Sequence, residues 1–283
     1  MKAGVVGAGL MGAEIALVFA LAGHEVVLHD RSDDALAGAI DRLRGILEKG
    51  VAWQFYASET AGTALARIEP VTTLAAMADC QMVTEAVHES IDIKAALLGA
   101  LDEICQPTCI LASNTSTLTI STLAGFLTPK RRACFLGTHY FSPVSRMKLV
   151  EVIPCFSTDA AVVNEVTDLL AEIGKQPIRI KDVAGFAVNR MLHALLIEAV
   201  KLVEEGVATP ADLDAACRLG LGHPIGPFAM MDIVTSDLCL QVQEILYDAY
   251  GERFRPPALL KQRVAAGYTG GREKPGWLAK SRE

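Results

Sequence analysis

The chain has 283 residues, 51% of them hydrophobic and 21% charged. That length exceeds one ordinary core and suits two domains, and the composition excludes disorder as the resting state. A formal net charge of −7 excludes broad nucleic-acid binding, which needs a basic surface to displace counterions.

Taken in chain order, residues 3–6 read as a buried strand, 11–22 as a helix and 25–29 as a second strand. A long helical pattern covers 33–49, and a looser segment with Trp53, Phe55 and Tyr56 fills 51–67. Further strands are predicted at 81–85, 110–112 and 135–137, separated by helices at 92–104 and 120–125. Residues 149–153 and 178–180 read as the last strands. Such alternation predicts an α/β fold: a Rossmann-type, doubly wound, mostly parallel sheet covered on both faces. From Phe186 the periodicity turns helical, with a long helix over 186–205 and a helix start at Thr209-Pro210, where Thr caps and Pro takes the first helical position. The expected boundary divides the α/β domain, 1–183, from an all-helical domain, 184–283. No stretch has the roughly 18 unbroken apolar residues of a membrane span, and Lys2 leads into a strand pattern rather than a signal peptide. The seven cysteines are odd in number and mostly set in apolar runs, which fits a reducing, cytoplasmic setting. Neither Cys105 and Cys109 nor the histidines have metal-ligand spacing, so no metal site is expected.

Gly7-Ala8-Gly9-Leu10-Met11-Gly12 is a GxGxxG sequence between a predicted strand and a predicted helix. Asp30 ends the next strand, 23 positions after Gly7. Gly7 permits the tight turn, Gly9 lets backbone approach a pyrophosphate, and Gly12 lets helix and strand pack closely. Leu10 and Met11 open the helix whose unpaired N–H groups face the phosphates. Asp30 suits the ribose hydroxyls and repels a 2′-phosphate, favouring NAD, whereas Arg31 beside it would attract such a phosphate.

Five further motifs follow in order. They are Ser113-Asn114-Thr115-Ser116, Thr138-His139-Tyr140-Phe141-Ser142-Pro143, Met147-Lys148-Leu149-Val150-Glu151-Val152, Gly185-Phe186-Ala187-Val188-Asn189-Arg190, and Gly222-His223-Pro224-Ile225-Gly226-Pro227. With the glycine loop, this set resembles the 3-hydroxyacyl-CoA dehydrogenase family nearly end to end. The resemblance implies an NAD-dependent enzyme acting on an acyl-CoA, a dimer formed through the helical domain, and a catalytic His139–Glu151 pair. It also implies active-site roles for Ser116 and Asn189. Asn114, Glu85, Glu89 and Lys94 would line the cofactor and substrate cleft.

These residue types suit oxidation of a secondary alcohol, in which a hydride and a proton leave together. Histidine, with an ordinary pKa near neutrality, fits the proton transfer. Glu151, twelve residues beyond His139 in the next predicted strand, would fix the tautomer and stabilise the imidazolium. Ser116 and Asn189 would hold the substrate oxygen, Asn189 from the second domain. Plainer readings stand beside these: Ser116 as a helix cap, Asn189 as a bridge between helices, and His193, on the same helix face, as packing. Arg42, Arg44 and Lys49 share one predicted helix and would either meet CoA phosphates or form a solvated face. The sequence departs from the family pattern at Ser142, commonly asparagine, and in the tail Gly270-Gly271-Arg272-Glu273-Lys274-Pro275-Gly276-Trp277. Two other functions fit parts of the pattern: a dehydrogenase of a free hydroxy acid or sugar acid, and a non-catalytic NAD-binding protein.

Overall fold

Short runs rich in valine and isoleucine, apolar on both faces, must be covered on both sides, and helices laid between parallel strands do this. The computed structural model describes residues 1–278 and divides into two units, Met1–Val183 and Ala184–Glu283. The first begins with β1 (Lys2–Val6), α1 (Leu10–Leu21), β2 (Glu25–His29), α2 (Asp33–Ala52), α3 (Ser58–Ala64), β3 (Ile68–Val71), β4 (Met82–Glu85) and α4 (Ile91–Ile104). It continues with β5 (Ile110–Ser113), α5 (Ile120–Ala124), α6 (Pro129–Arg132), β6 (Phe135–Tyr140), β7 (Leu149–Pro154), α7 (Ala160–Glu172) and β8 (Gln176–Arg179). The eight strands form one sheet in the order β3-β2-β1-β4-β5-β6-β7-β8. All neighbours are parallel except β6 and β7, which run antiparallel.

The order reverses at β1, between β2 and β4, which opens a crevice at the carboxyl ends of these strands. Backbone bonds extend the ladder there: Gly7 N–H donates to His29 O at 2.8 Å, and Ala86 N–H to Val6 O at 2.8 Å. Ser32 caps α2 by accepting from Ala35 N–H at 3.2 Å, with Asp33 and Asp34 in the first turn to complement the helix dipole. Leu36, Ala39, Leu43 and Leu47 recur at helical spacing and bury the inner face of α2. Each such leucine contributes about 1.5–3 kcal/mol by leaving water.

Several elements differ from the sequence reading. The strand β3 and the helices α3, α6 and α7 are additional. Pro70 and Glu69 mask β3, an edge strand where a missing N–H is tolerated. Val162, Val163 and Val166 give α7 a β-branched signal, yet all three form its buried face. β8 begins two residues earlier than expected. β6 runs on to Tyr140, so His139 lies within the strand rather than after it; pairing with β7 extends it.

The second unit comprises α8 (Val188–Glu204), α9 (Pro210–Gly220), α10 (Pro227–Val234), α11 (Ser236–Tyr250) and α12 (Ala258–Ala265). Leu196, Val200, Phe228, Met231, Cys239, Leu260 and Trp277 form its main core. Thr209 caps α9 by accepting from Asp212 N–H at 3.2 Å. Helix α8 starts later than expected because Phe186 is left-handed, with φ 47°. The divergent tail packs into this unit: Asp232 accepts from Trp277 N–H and Leu278 N–H at 2.7 and 3.0 Å, and the Trp277 indole donates to Ser236 Oγ at 2.9 Å. No helix among the described residues is long and apolar enough to cross a membrane.

Candidate active site

The crevice is a cavity of about 990 Å³, lined by Gly7, Gly9, Leu10 and Met11 on one side and by Ala86, Val87, His88 and Ile93 on another. Its size suits a dinucleotide. Gly7 has φ 105°, which excludes other residues, and a Cβ on Gly12 would stand 1.8 Å from Gly7 O. Gly9 caps α1 without any side-chain hydrogen bond, so the helix N-terminus is open to phosphate oxygens. Asp30 lies on the lining, its Oδ2 accepting from Ala8 N–H at 2.9 Å and its Oδ1 from Ser32 N–H at 3.2 Å. Those bonds hold the carboxylate where a ribose diol would meet it. These residues fit NAD. Arg42 donates to Ala8 O at 2.9 Å and so braces the glycine loop rather than waiting for a phosphate. Arg44 pairs with Asp41 on the exposed face of α2.

At the end of β6, the antiparallel register sets His139 directly opposite Glu151. Cross-strand partners share a face, and here His139 Nδ1 and Glu151 Oε2 are 2.8 Å apart. Glu151 is fully buried and His139 is 4% exposed. A carboxylate offers only acceptors, so Nδ1 carries the hydrogen, and in the neutral ring Nε2 is then the acceptor. Ser116 Oγ lies 3.1 Å from that Nε2. The hydroxyl therefore meets the histidine and does not cap a helix; Thr119 stands at the N-terminus of α5. Phe141 packs edge-on against the imidazole, ring centroids 4.6 Å apart.

Glu89 holds the serine's loop. Its Oε1 accepts from Ser116 N–H and Thr117 N–H, both at 2.9 Å, and from the hydroxyls of Thr115 and Thr117. Burial works to raise the Glu89 carboxyl, but Lys94 and the bonds from Thr115 and Thr117 outweigh it and keep its pKa below the usual value. Lys94 Nζ sits 2.8 Å from Glu85 Oε1 and 3.3 Å from Glu89 Oε2. Ser113 also donates to Glu85. Glu85 and Lys94, expected to line the cofactor and substrate cleft, are held together by this ion pair. Both are 1% exposed or less and satisfy one another beneath the site. Asn114, expected in the same cleft, is half-buried, and its Oδ1 accepts from Tyr140 N–H at 2.9 Å, tying the β5 loop to the end of β6.

Sequence reasoning missed Glu14, Lys175 and Asp182. Glu14, buried in α1, accepts from Ser145 N–H at 2.8 Å; Lys175 donates to the carbonyls of Val144 and Met147. Together they fix the loop after β6. An acid inside the apolar run of α1 was the available signal. Asp182 accepts from Ile120 and Ser121 N–H at 2.8 and 2.7 Å, setting the helix after the serine loop.

In the second unit, Asn189 is half-buried in the first turn of α8. Gly185, with φ 70°, and Phe186 reverse the chain before it, and Arg190 N–H donates to Gly185 O at 3.1 Å. The Arg190 guanidinium stacks 3.9 Å from the Tyr250 ring centroid. His193, one turn on, is buried, and that burial lowers its pKa to about 4. It is a neutral packing residue.

Serine, histidine and glutamate in series are also the parts of a hydrolase triad. That chemistry needs free N–H groups for an oxyanion. The N–H groups of Ser116 and Thr117 are instead spent on the Glu89 carboxylate. An open sheet with a glycine loop, an acid at the end of the second strand and a buried histidine–glutamate pair fits a nicotinamide-dependent dehydrogenase. Comparison with known proteins gives the family. Residues 2–183 match the profile described as 3-hydroxyacyl-CoA dehydrogenase, NAD binding domain, and residues 185–280 match its C-terminal domain. A probable 3-hydroxybutyryl-CoA dehydrogenase of Deinococcus radiodurans is 39% identical over 281 residues, 98% of this chain and 99% of that one. The mitochondrial hydroxyacyl-coenzyme A dehydrogenase of Sus scrofa is 37% identical, covering 96% of this chain and 89% of that one. The crystal structure of (S)-3-hydroxybutyryl-CoA dehydrogenase from Ralstonia eutropha superposes with a TM-score of 0.94 at 35% identity, covering 99% of each chain. The chain belongs to the 3-hydroxyacyl-CoA dehydrogenase family and is an NAD-dependent oxidoreductase.

Proposed function

We propose that this enzyme interconverts an (S)-3-hydroxyacyl-CoA and the 3-ketoacyl-CoA, with His139 and Glu151 as its proton-transfer pair. The observation that carries this reading is the buried cross-strand pair with Ser116 on the outer imidazole nitrogen. His139 Nε2 takes the proton of the substrate 3-hydroxyl, or returns it in the reverse direction. Glu151, unable to reach solvent, holds the ring and opposes the positive charge it gains. Ser116 shares the substrate oxygen with His139. Bound NAD supplies the hydride acceptor. Asn189 is assigned to substrate binding by its place in the Gly185–Arg190 motif. Relatives named for 3-hydroxybutyryl-CoA support a short acyl chain and a role in fatty-acid or butyrate-type metabolism.

A homodimer through the helical unit, in the cytoplasm, completes the proposal. Exposed Met191, Leu219, Leu221 and Ile233 on that unit support the dimer, since apolar surface of this kind is covered by association. The test is NADH oxidation followed at 340 nm with short, medium and long 3-ketoacyl-CoAs beside the matching free acids. Turnover is expected with the thioesters and greatest at four carbons. Equal or faster turnover of a free acid would remove CoA from the proposal.

A further inference from the structure

The loop between β6 and β7 closes on itself first: Arg146 N–H and Met147 N–H both donate to Pro143 O, at 3.0 and 2.9 Å. That turn is then gripped from two sides. From α1, Glu14 Oε2 accepts from Ser145 N–H at 2.8 Å. From the connection between α7 and β8, Lys175 Nζ donates to Val144 O and, at 3.0 Å, to Met147 O. Both charges are buried, Glu14 at 4% exposure and Lys175 at 8%. Burial pushes the Lys175 ammonium below its ordinary pKa, and attraction to the Glu14 carboxylate works against that shift. Carboxylate and ammonium thus pull toward each other across the loop backbone. Charge buried against uncharged backbone carries a desolvation penalty, and apolar contacts would close a short turn without it.

At the root of the turn stands Phe141, directly after β6. Its ring meets the His139 imidazole at 65°, centroids 4.6 Å apart. The outer torsion of a histidine is broad, so one hydrogen bond fixes an atom of the ring but not its plane. The bond to Glu151 fixes Nδ1, and the packed aromatic fixes the plane and with it the direction of Nε2. We propose that Glu14 and Lys175 are positioning residues for the proton transfer: by clamping residues 144–147 they hold Phe141 against His139 and so aim Nε2 at the substrate oxygen. The identity of that oxygen rests on the substrate reading given above, whereas the aim of the imidazole belongs to the first unit alone. The tie from α1 also joins the turn to the cofactor side, since Leu10 and Met11 of that helix line the dinucleotide cavity.

The test uses Glu14→Leu, Lys175→Met and Phe141→Leu, with acetoacetyl-CoA as substrate. Each should lower kcat on the order of tenfold while NADH affinity stays constant, because a small misdirection of a base slows the chemical step. With NADH dideuterated at C4, the isotope effect on kcat should rise in all three, as hydride transfer becomes more rate-limiting. Glu14→Gln keeps an acceptor for Ser145 N–H and should recover most of the rate. A second readout needs no turnover. The ring-carbon protons of His139, assigned by their loss in His139→Gln, are shifted in NMR spectra by the Phe141 ring current. In Glu14→Leu and Lys175→Met they should move toward their Phe141→Leu positions. Ring signals that keep their wild-type shifts overturn the proposal whatever the rates do, and wild-type turnover of the thioester then leaves the substrate reading intact. Lower stability in urea with kcat per folded enzyme unchanged overturns it too and makes the clamp purely architectural. Shifted ring signals in an enzyme that turns over no 3-ketoacyl-CoA keep the positioning and remove the substrate reading.

Discussion

The two units bury polar groups in different ways. In the first, full-length charges lie inside and answer one another: Lys94 against Glu85 and Glu89, Arg131 against Asp102, and His139 against Glu151. In the second, the buried carboxylate of Asp214 and the tail-holding carboxylate of Asp232 accept backbone N–H groups. His193 sits neutral with its Nδ1 unpartnered. A buried ion pair is a poor way to gain stability, because desolvation consumes most of the attraction. A carboxylate that caps backbone is a sound one. The first unit therefore bears its internal charge for chemistry and position, and the second arranges its polar groups for shape.

The sharpest way to break this contrast is at the base. Under the proposed function, His139→Gln should lower kcat by about 10²–10⁴-fold. NADH affinity, measured by fluorescence titration, should stay where it was. Unchanged turnover would make the pair structural and erase the contrast. Next comes Lys94→Met, which strands the Glu85 carboxylate and should cost about 3–5 kcal/mol in urea unfolding. Adding Glu85→Leu should recover most of that loss, and failure to recover would show that Lys94 acts through something other than charge. The smallest effect concerns His193. Burial lowers its pKa, so the unfolded chain binds a proton that the folded chain refuses. Its contribution to stability is full above the unfolded value of about 6.5 and is lost as pH falls toward the folded one. The loss should be on the order of 2 kcal/mol between about pH 6.5 and 5, and His193→Leu should flatten that slope.

Much of the site was legible because its residues sit in short, rigid motifs. The glycine loop and Asp30 are read from strand and helix context, and the His139–Glu151 pair from the family resemblance, with Glu151 in the predicted strand that follows His139. What the spacing did not reveal was direction. Glu85 turns to Ser113, 28 residues on, and the Asn114 carbonyl to Tyr140 N–H, 26 residues on, while Lys94 joins Glu85 and Glu89. Long-range pairing of that kind leaves no periodic trace. Glu14 and Lys175 escaped for the same reason, being a helix acid and a loop lysine whose shared target is the segment between Val144 and Met147. The strand β3 was hidden by Pro70, which an edge position tolerates and a central one would not.

The antiparallel turn from β6 to β7 has an evolutionary corollary. His139 and Glu151 travel together on one hairpin, and their alignment is written in backbone pairing rather than in the connecting residues. The connection at 141–148 is held separately, by Glu14 and Lys175, so its exposed positions can change while the pair keeps its register. A lineage can rewrite those exposed positions, Ser142 among them, without disturbing the pairing.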